Sequence, residues 1–266
     1  MNIWEVIFLQ PLVNALLFFY NLFFHNLGLA IIGLTIALKL ILVPITLPSM
    51  RSMQKMKEIA PELEKLKKRH KDDKTKLMQA QADLYKQHGI NPAAGCLPQI
   101  VQLVLLIALF QVFMRVVPAG DAIDQINKLA YDSLKISNHL NTHFFSLDLT
   151  KPDVVPVPEL PFPLPGPFLI VAAALQFLSS KMMMPDAQKA QKAAEKTPGQ
   201  ADDFATAMQS QMLYMFPVLT LVIGISFASG LVLYWTALSV AQSIQQYLIS
   251  GWGGLSPWMR KAKLLS

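Results

Sequence analysis

The sequence predicts an all-α membrane protein: a five-transmembrane-helix bundle with an N-terminal amphipathic interfacial helix and a cytoplasmic helical hairpin. Three observations carry this. Of 266 residues, 53% are apolar and only 15% charged, where an ordinary soluble domain has about 25% charged residues. Several apolar stretches reach the roughly 20 residues that cross ~30 Å of hydrocarbon, whereas a signal peptide would supply one short stretch. The net charge of +6 is, moreover, unevenly spread, with lysine and arginine gathered in alternate loops. The single cysteine, Cys96, excludes an intramolecular disulfide and any paired-cysteine metal site.

The first apolar tract runs from Ile3 to about Leu47, ~68 Å as one helix and more than twice a bilayer core, so it is two elements. Within residues 1–26, Gln10, Asn14, Asn21 and His25 are spaced 4, 7 and 4, which gathers them within about 60° on a helix. This segment reads as an amphipathic helix lying along the membrane, with a striped span as the alternative. The first span is then 27–49. A second fits 97–117, ended by Pro118, and a third fits 167–184, ended by Pro185. The last apolar run, Met212 to Ile249, would be ~57 Å as one helix. Ala228, Ser229 and Gly230 near its middle are a small-residue turn signal, giving spans 212–228 and 231–249.

Basic residues assign the sides. The loop 50–96 holds eleven lysines and arginines, the loop 185–211 adds Lys189, Lys192 and Lys196 beside Lys181, and the tail 250–266 adds Arg260, Lys261 and Lys263. Against these, the loop 118–166 has only Lys128, Lys135 and Lys151, outnumbered by six acids. The chain is expected to be multi-pass, N-out and C-in.

In the first cytoplasmic loop, Met56, Ile59, Leu63 and Leu66 fall at 3, 4, 3 spacing, and Leu77 and Leu84 are seven apart, which reads as a helical hairpin with its tip at His70 to Asp73. Pro61 is expected to bend or restart the first arm. Two readings stand: a solvated hairpin that only enforces topology, or a docking surface in which Lys65, Lys67, Lys68, Arg69 and Lys71 meet lipid headgroups or ribosomal RNA. The outer loop ends in seven prolines between 152 and 167, an extended strap. Asp186 to Ala207 reads as a linker.

One charge lies inside a span. Lys39 is eight residues from Leu47, ~12 Å from the inner end and past easy snorkelling. A charge there costs about 2.5 to 3.5 kcal/mol, and the five spans contain no acid to pair with it. Either Lys39 stretches to the inner headgroups or it faces a water-filled cavity open to the cytoplasm. Thr35, Gln99, Gln102, Gln176, Thr236, Ser239 and Gln242 are the polar residues available to line such a cavity, though each alone also suits helix–helix hydrogen bonding. Arg115, near the outer end of its span, reads as an interface anchor. Methionines cluster at the inner ends of spans (Met50, Met53, Met56; Met182, Met183, Met184; Met208, Met212, Met215), either as packing filler or as adaptable apolar surface.

Enzyme readings find no chemistry. All five histidines lie outside or at the edges of the spans, so no serine has a membrane base, and there is no intramembrane carboxylate pair. With no P-loop, metal-ligand cluster or dinucleotide fingerprint, no catalytic residue, metal or cofactor is expected. A coupled transporter would want a membrane acid and repeated halves.

The run Asn91-Pro92-Ala93-Ala94-Gly95-Cys96-Leu97-Pro98 with Gln102, the stretch Phe216-Pro217-Val218, and Ser229-Gly230-Leu231-Val232-Leu233-Tyr234-Trp235 with Gln245-Gln246 together resemble the YidC/Oxa1/Alb3 family of membrane protein insertases. The resemblance runs from Gln10-Pro11-Leu12 to Ile249. It implies a five-helix core in the bacterial cell membrane, without the family's large extracytoplasmic domain or lipoprotein signal. It further implies a hydrophilic groove, open to cytoplasm and lipid, in which a positive residue of the first span receives polar parts of a nascent membrane protein. Leu38-Lys39-Leu40-Ile41-Leu42-Val43-Pro44 is similar to the family's pattern around that residue, with Lys39 where arginine is usual; lysine keeps the charge without the forked donors. Thr35 matches a substrate-contacting threonine and Trp235 a substrate-contacting aromatic. The implied partners are nascent membrane proteins and the lipid bilayer, with the ribosome and a Sec translocon as candidates and nothing pointing to DNA. The tail after Ile249 is shorter than those the family uses for ribosome docking. A small channel, transporter or lipid scramblase using the same groove is the alternative function.

Overall fold

A computed structural model describes residues 2–70, 73–91, 97–116, 122–137, 140–183 and 213–262. A π-helical stretch, Glu5–Leu9, leads into α1 (Gln10–Leu22). There follow α2 (Leu27–Glu58), α3 (Ala60–Arg69), α4 (Lys74–Gln87), α5 (Leu97–Val116), α6 (Ala122–Asn127), α7 (Pro167–Met183), α8 (Leu213–Gly224), α9 (Ser229–Ser250) and α10 (Ser256–Lys261). Between α6 and α7 lie two minimal antiparallel pairs, β1 (His143–Phe144) with β2 (Leu147–Asp148) and β3 (Val154–Val155) with β4 (Leu164–Pro165). Among the described residues the chain is thus mostly helical, with two helical stretches, Glu5–Leu22 and Leu27–Met56, long and apolar enough to cross a membrane, and shorter apolar helices at Ile100–Arg115, Pro167–Met183 and Leu213–Gly224. It divides into two compact units, residues 1–41, 101–177 and 216–241 forming the first and 42–100, 178–215 and 242–266 the second.

The first unit holds one large apolar cluster and a smaller one of Leu169, Ala172 and Val232. Leu9, Leu12, Val13, Leu16, Leu17 and Tyr20 of the N-terminal helix meet Leu27, Ala30, Ile31 and Leu34 of α2, Leu109, Val112 and Phe113 of α5, and Leu231, Leu233 and Tyr234 of α9. Here the sequence reading of α1 needs correction. Asn14 does not face water: it is 4% exposed, and its amide donates to the carbonyls of Gln10 (2.7 Å) and Leu129 (2.9 Å) while its oxygen accepts the Tyr131 N–H (2.6 Å). A buried amide must find such partners, and the loop after α6 supplies them. The side of the N-terminal helix turned away from the cluster is largely apolar, exposing Val6 and Ile7 of the π-helical stretch and Phe18 and Leu22 of α1.

The loop between α5 and α7 is tied down by main-chain bonds. Leu149 and Lys151 present their carbonyls to the N–H groups of Gly230 (3.0 Å) and Ser229 (2.8 Å), and Asp153 accepts the N–H of Leu169 on its carboxylate (2.8 Å) and of Gly166 on its carbonyl (2.8 Å). These satisfy donors that every helix leaves open in its first turn, at the starts of both α9 and α7. Partial burial works to raise the Asp148 carboxyl, but the hydroxyl and N–H of Thr150 and the ammonium of Lys151 outweigh it and hold the group at about 2.

The capped start of α9 also moves the expected turn. Ser229 and Gly230 are helical, and the break falls at 225–228, after Gly224. Gly230 is small because Phe113 and the Leu149 carbonyl come against its Cα, leaving no room for a Cβ.

In the second unit α2 continues past Pro44 and Pro48 to Glu58, and the chain restarts at Ala60 with Pro61 in the first turn of α3, a position that tolerates a missing N–H. Asp73 caps α4, its carboxylate accepting the Lys76 N–H (3.0 Å). Ile59, Leu84 and Ile90 form a small buried cluster with Met56, Leu63, Leu66 and Tyr85 against it, so α3 and α4 pair through most of the spacing seen in the sequence. His88 and Glu62 face each other across the base at 3.4 Å. After α9, Gly251 and Gly253 adopt positive φ, the backbone region that glycine enters freely, and α10 sets Trp258 against the Lys181 ammonium at 3.4 Å from the ring centroid. The expected linker Asp186 to Ala207 lies outside the described residues.

Candidate functional site

Four residues per 400° bring positions 31, 35 and 39 of α2 onto one side of the helix. Ile31 and Leu34 are buried, Leu38 packs against the same cluster, and Thr35 is 1% exposed. Ile36, Leu40 and Ile41 are exposed. Lys39 is therefore carried on the bundle-facing side, half-buried, one turn beyond Thr35 and away from the apolar side. Among the described residues it has no ion-pair partner. The Thr35 hydroxyl donates to the Ile31 carbonyl at 2.6 Å, which satisfies it inside its own helix.

The other expected polar residues of the first unit divide into two kinds. Gln102 on α5 donates to the Tyr234 hydroxyl on α9 at 2.8 Å. Ser239 on α9 lies 2.5 Å from Gln176 Oε1 on α7 and 2.9 Å from the Trp235 carbonyl. These contacts join helices through their facing sides, the use to which membrane bundles commonly put small polar groups. Thr236 instead returns its hydroxyl to Val232 (2.8 Å). Trp235 is half-buried, its ring 6.3 Å from that of Phe227. Gln102 sits one turn from Leu105, and Ser239 and Lys39 adjoin Leu238 and Leu38; all three leucines pack on the same cluster. A small cavity in this unit, lined by Val13, Leu17, Tyr20, Leu27, Val112 and Ile126 among others, is apolar and contains none of these residues.

In the second unit Gln242 contacts the Met183 sulfur at 2.8 Å, so one methionine of the inner clusters is already engaged. The side chain of Gln99 lies outside the described residues, as do those of Lys67 and Met53, and all of Lys71, Met184, Met208 and Met212. Lys65, Lys68 and Arg69 are exposed along α3, at the 3- and 4-residue spacings that share one helix side.

Sequence reasoning missed Tyr234 and Glu5. Tyr234 is 2% exposed, and its only sequence signal was its place in the family-like run before Trp235. Glu5 accepts from Arg115 at 2.7 Å, so Arg115, near the end of α5, is an ion-pair partner of the N-terminal helix. Beside it Trp4 donates to Gln111 at 2.9 Å.

The family model described as 60Kd inner membrane protein matches residues 18–253, from the last turn of α1 through α9. The chain belongs to this family, the YidC/Oxa1/Alb3 membrane protein insertases. It is 34% identical over 223 residues to a membrane protein insertase YidC of Fusobacterium nucleatum, covering 84% of this chain and 85% of that protein. It is 32% identical over 254 residues to membrane protein insertase YidC 2 of Bacillus anthracis, with coverage of 94% and 82%. The relative from Pelobacter propionicus is longer: 31% identity over 249 residues takes in 93% of this chain but 39% of that protein.

Proposed function

We propose that this chain inserts nascent membrane proteins into the bilayer, using Lys39 and its polar neighbours as a hydrated groove open to cytoplasm and lipid. The observation that carries the groove is Lys39 itself: an ammonium on the bundle-facing side of α2, without an acidic partner among the described residues. A charge so placed is held most cheaply by water. Thr35, Gln102, Gln176, Thr236 and Ser239 are the further polar groups of the same unit, with Trp235 an aromatic contact; Gln99 and Gln242 belong to the second unit. The mechanism is physical. A polar segment crossing hydrocarbon loses water from each peptide group without replacement, and a wet groove shortens the dry path while apolar residues partition outward into lipid.

The five spans are read as α2, α5, α7, α8 and α9, with α1 along the outer interface. The contacts of the N-terminal helix support its placement. Glu5 at one end pairs with Arg115 at the end of α5, and Tyr20 near the other accepts from Asn141, whose carbonyl accepts from Leu27 at the start of α2. Leu27 and Val112 line one cavity, so the start of α2 and the end of α5 are neighbours. A helix with both ends at that one level lies along the boundary. Lys65, Lys67, Lys68, Arg69 and Lys71 of the α3–α4 hairpin are the recruiting surface for acidic or phosphate-bearing partners, with the ribosome and a Sec translocon as candidates. Cysteines placed between Lys65 and Lys76 are expected to react with impermeant reagents only from the cytoplasmic side, and ones near Asp153 only from outside; the reverse would end this orientation.

The deciding experiment reconstitutes the purified chain in liposomes with a single-span substrate. Insertion without accompanying ion or lipid flux is expected. Flux of ions or lipid in vesicles that insert nothing would favour a channel or scramblase instead.

A further inference from the structure

Two aromatic side chains of the first unit are presented to the surroundings almost completely: Phe24 is 91% and Phe145 92% exposed. Both stand at tight turns on left-handed backbone, with φ of 54° at Phe24, 59° at His25 and 51° at Phe145. Asparagine and glycine suit such positions, and a bulky residue there is a true outlier. Phe145 and Ser146 form the two-residue turn between β1 and β2, whose register pairs His143 with Asp148 and Phe144 with Leu147. A local preference overridden at an exposed site points to a use for the side chain.

The position says what that use is. Phe144 lies over Gly28, where any Cβ would meet its ring, and Leu27 donates its N–H to Asn141 at 3.3 Å. The β1–β2 turn is therefore fastened to the first turn of α2, the level at which this span enters hydrocarbon. Phe145 stands edge-on to Phe144, with ring centroids 4.8 Å apart, so it is held outward by a seated neighbour. Phe24 belongs to the turn that leads into α2 and continues the apolar side of α1 formed by Phe18 and Leu22; Leu29, one residue past Gly28, is exposed on α2. Exposed apolar side chains are thus found on α1, on both turns and on the first turn of α2.

We propose that Phe24 and Phe145 are paired lipid anchors, inserted into the headgroup–acyl boundary of the outer leaflet beside the start of α2. Aromatic side chains are favoured in that zone, where the polar backbone of a turn remains wet while the ring is in lipid. The proposal rests on the interfacial reading of α1 and adds the β1–β2 turn to the membrane contact.

The test uses the full chain in lipid vesicles with Cys96→Ser and a single new cysteine, Phe24→Cys, Phe145→Cys, Leu22→Cys or Glu159→Cys, each labelled with an environment-sensitive fluorophore. At 24 and 145 the emission is expected to be blue-shifted and largely lost to lipids spin-labelled near the headgroup, while aqueous iodide has little effect. Glu159→Cys should show the opposite. Quenching at 145 by iodide alone overturns the proposal; if Leu22→Cys is still quenched by lipid, the interfacial reading of α1 survives, and if it is not, that reading falls too. Protection of 145 from both quenchers would mean a protein covers it, and would overturn the lipid assignment as well.

Discussion

Lys39→Ala is expected to separate folding from function. The bundle should fold as stably as the parent's, because Lys39 has no ion-pair partner among the described residues for the substitution to break. Insertion should fall most for substrates whose translocated segment carries acids. An attraction of about 1–2 kcal/mol between the ammonium and a substrate carboxylate corresponds to a factor of about 5 to 30. Lys39→Arg, which keeps the charge, should insert such substrates like the parent, and Lys39→Glu should be the poorest of the three. The measurements are thermal unfolding in detergent and protease protection of substrates with zero, one or two acids in the translocated segment. If Lys39→Ala handled the acidic substrates as well as the parent, the groove charge would be dispensable and Lys39 would be a side chain reaching to the inner headgroups.

Asn14→Leu is expected to destabilise the protein markedly, although the change is from polar to apolar in a helix of apolar neighbours. The volume is nearly kept, but the Tyr131 N–H and the Leu129 carbonyl lose the partner that Asn14 gives them. An orphaned buried group costs about 1–3 kcal/mol and that applies in full to the Leu129 carbonyl and only in part to the Tyr131 N–H, so a loss of about 1–3 kcal/mol is anticipated, seen as a lower unfolding temperature and as proteolysis in the loop after α6. Asn21 is exposed on the same helix, and Asn21→Leu should change stability by less than about 0.5 kcal/mol. Equal, small effects at the two positions would restore the picture of one water-facing stripe.

Asn14 also shows where legibility stopped. Apolar length and basic loops suffice to mark helices that must be buried in something, because hydrocarbon demands long apolar runs with few charges whatever the neighbours are. A polar residue in such a run is ambiguous, since it faces either water or a partner contributed from far away in the chain. Leu12, Val13, Leu16 and Leu17 crowd around Asn14 in sequence, and that crowding was a signal of burial that the angular stripe obscured. Glu5 and Arg115 are 110 positions apart, and nothing local in either segment announces the other. The break before α9 was displaced for a related reason: Gly230 is small to admit Phe113, and smallness for packing looks the same in a sequence as smallness for turning. Lys39, by contrast, was visible at once, because a lone charge in an apolar helix is anomalous in any context. What the sequence could not provide was its direction, which depends on the faces that α2 shares with α5 and α9.

The loop ahead of α7 holds the starts of α7 and α9 largely with peptide carbonyls, those of Leu149, Lys151 and Asp153. Such a grip is blind to side-chain identity. The exposed residues of this loop are free to drift toward whatever the surrounding medium rewards, provided the main-chain path is kept, and the crowded prolines restrict that path by fixing φ. Leu129 and Leu149 in the core cluster, Phe144 over Gly28 and Asp153, whose carboxylate also reaches Leu169, are not free in this way. The segment therefore combines a fastened backbone with an editable exposed surface, which can be retuned without loosening the helices it holds.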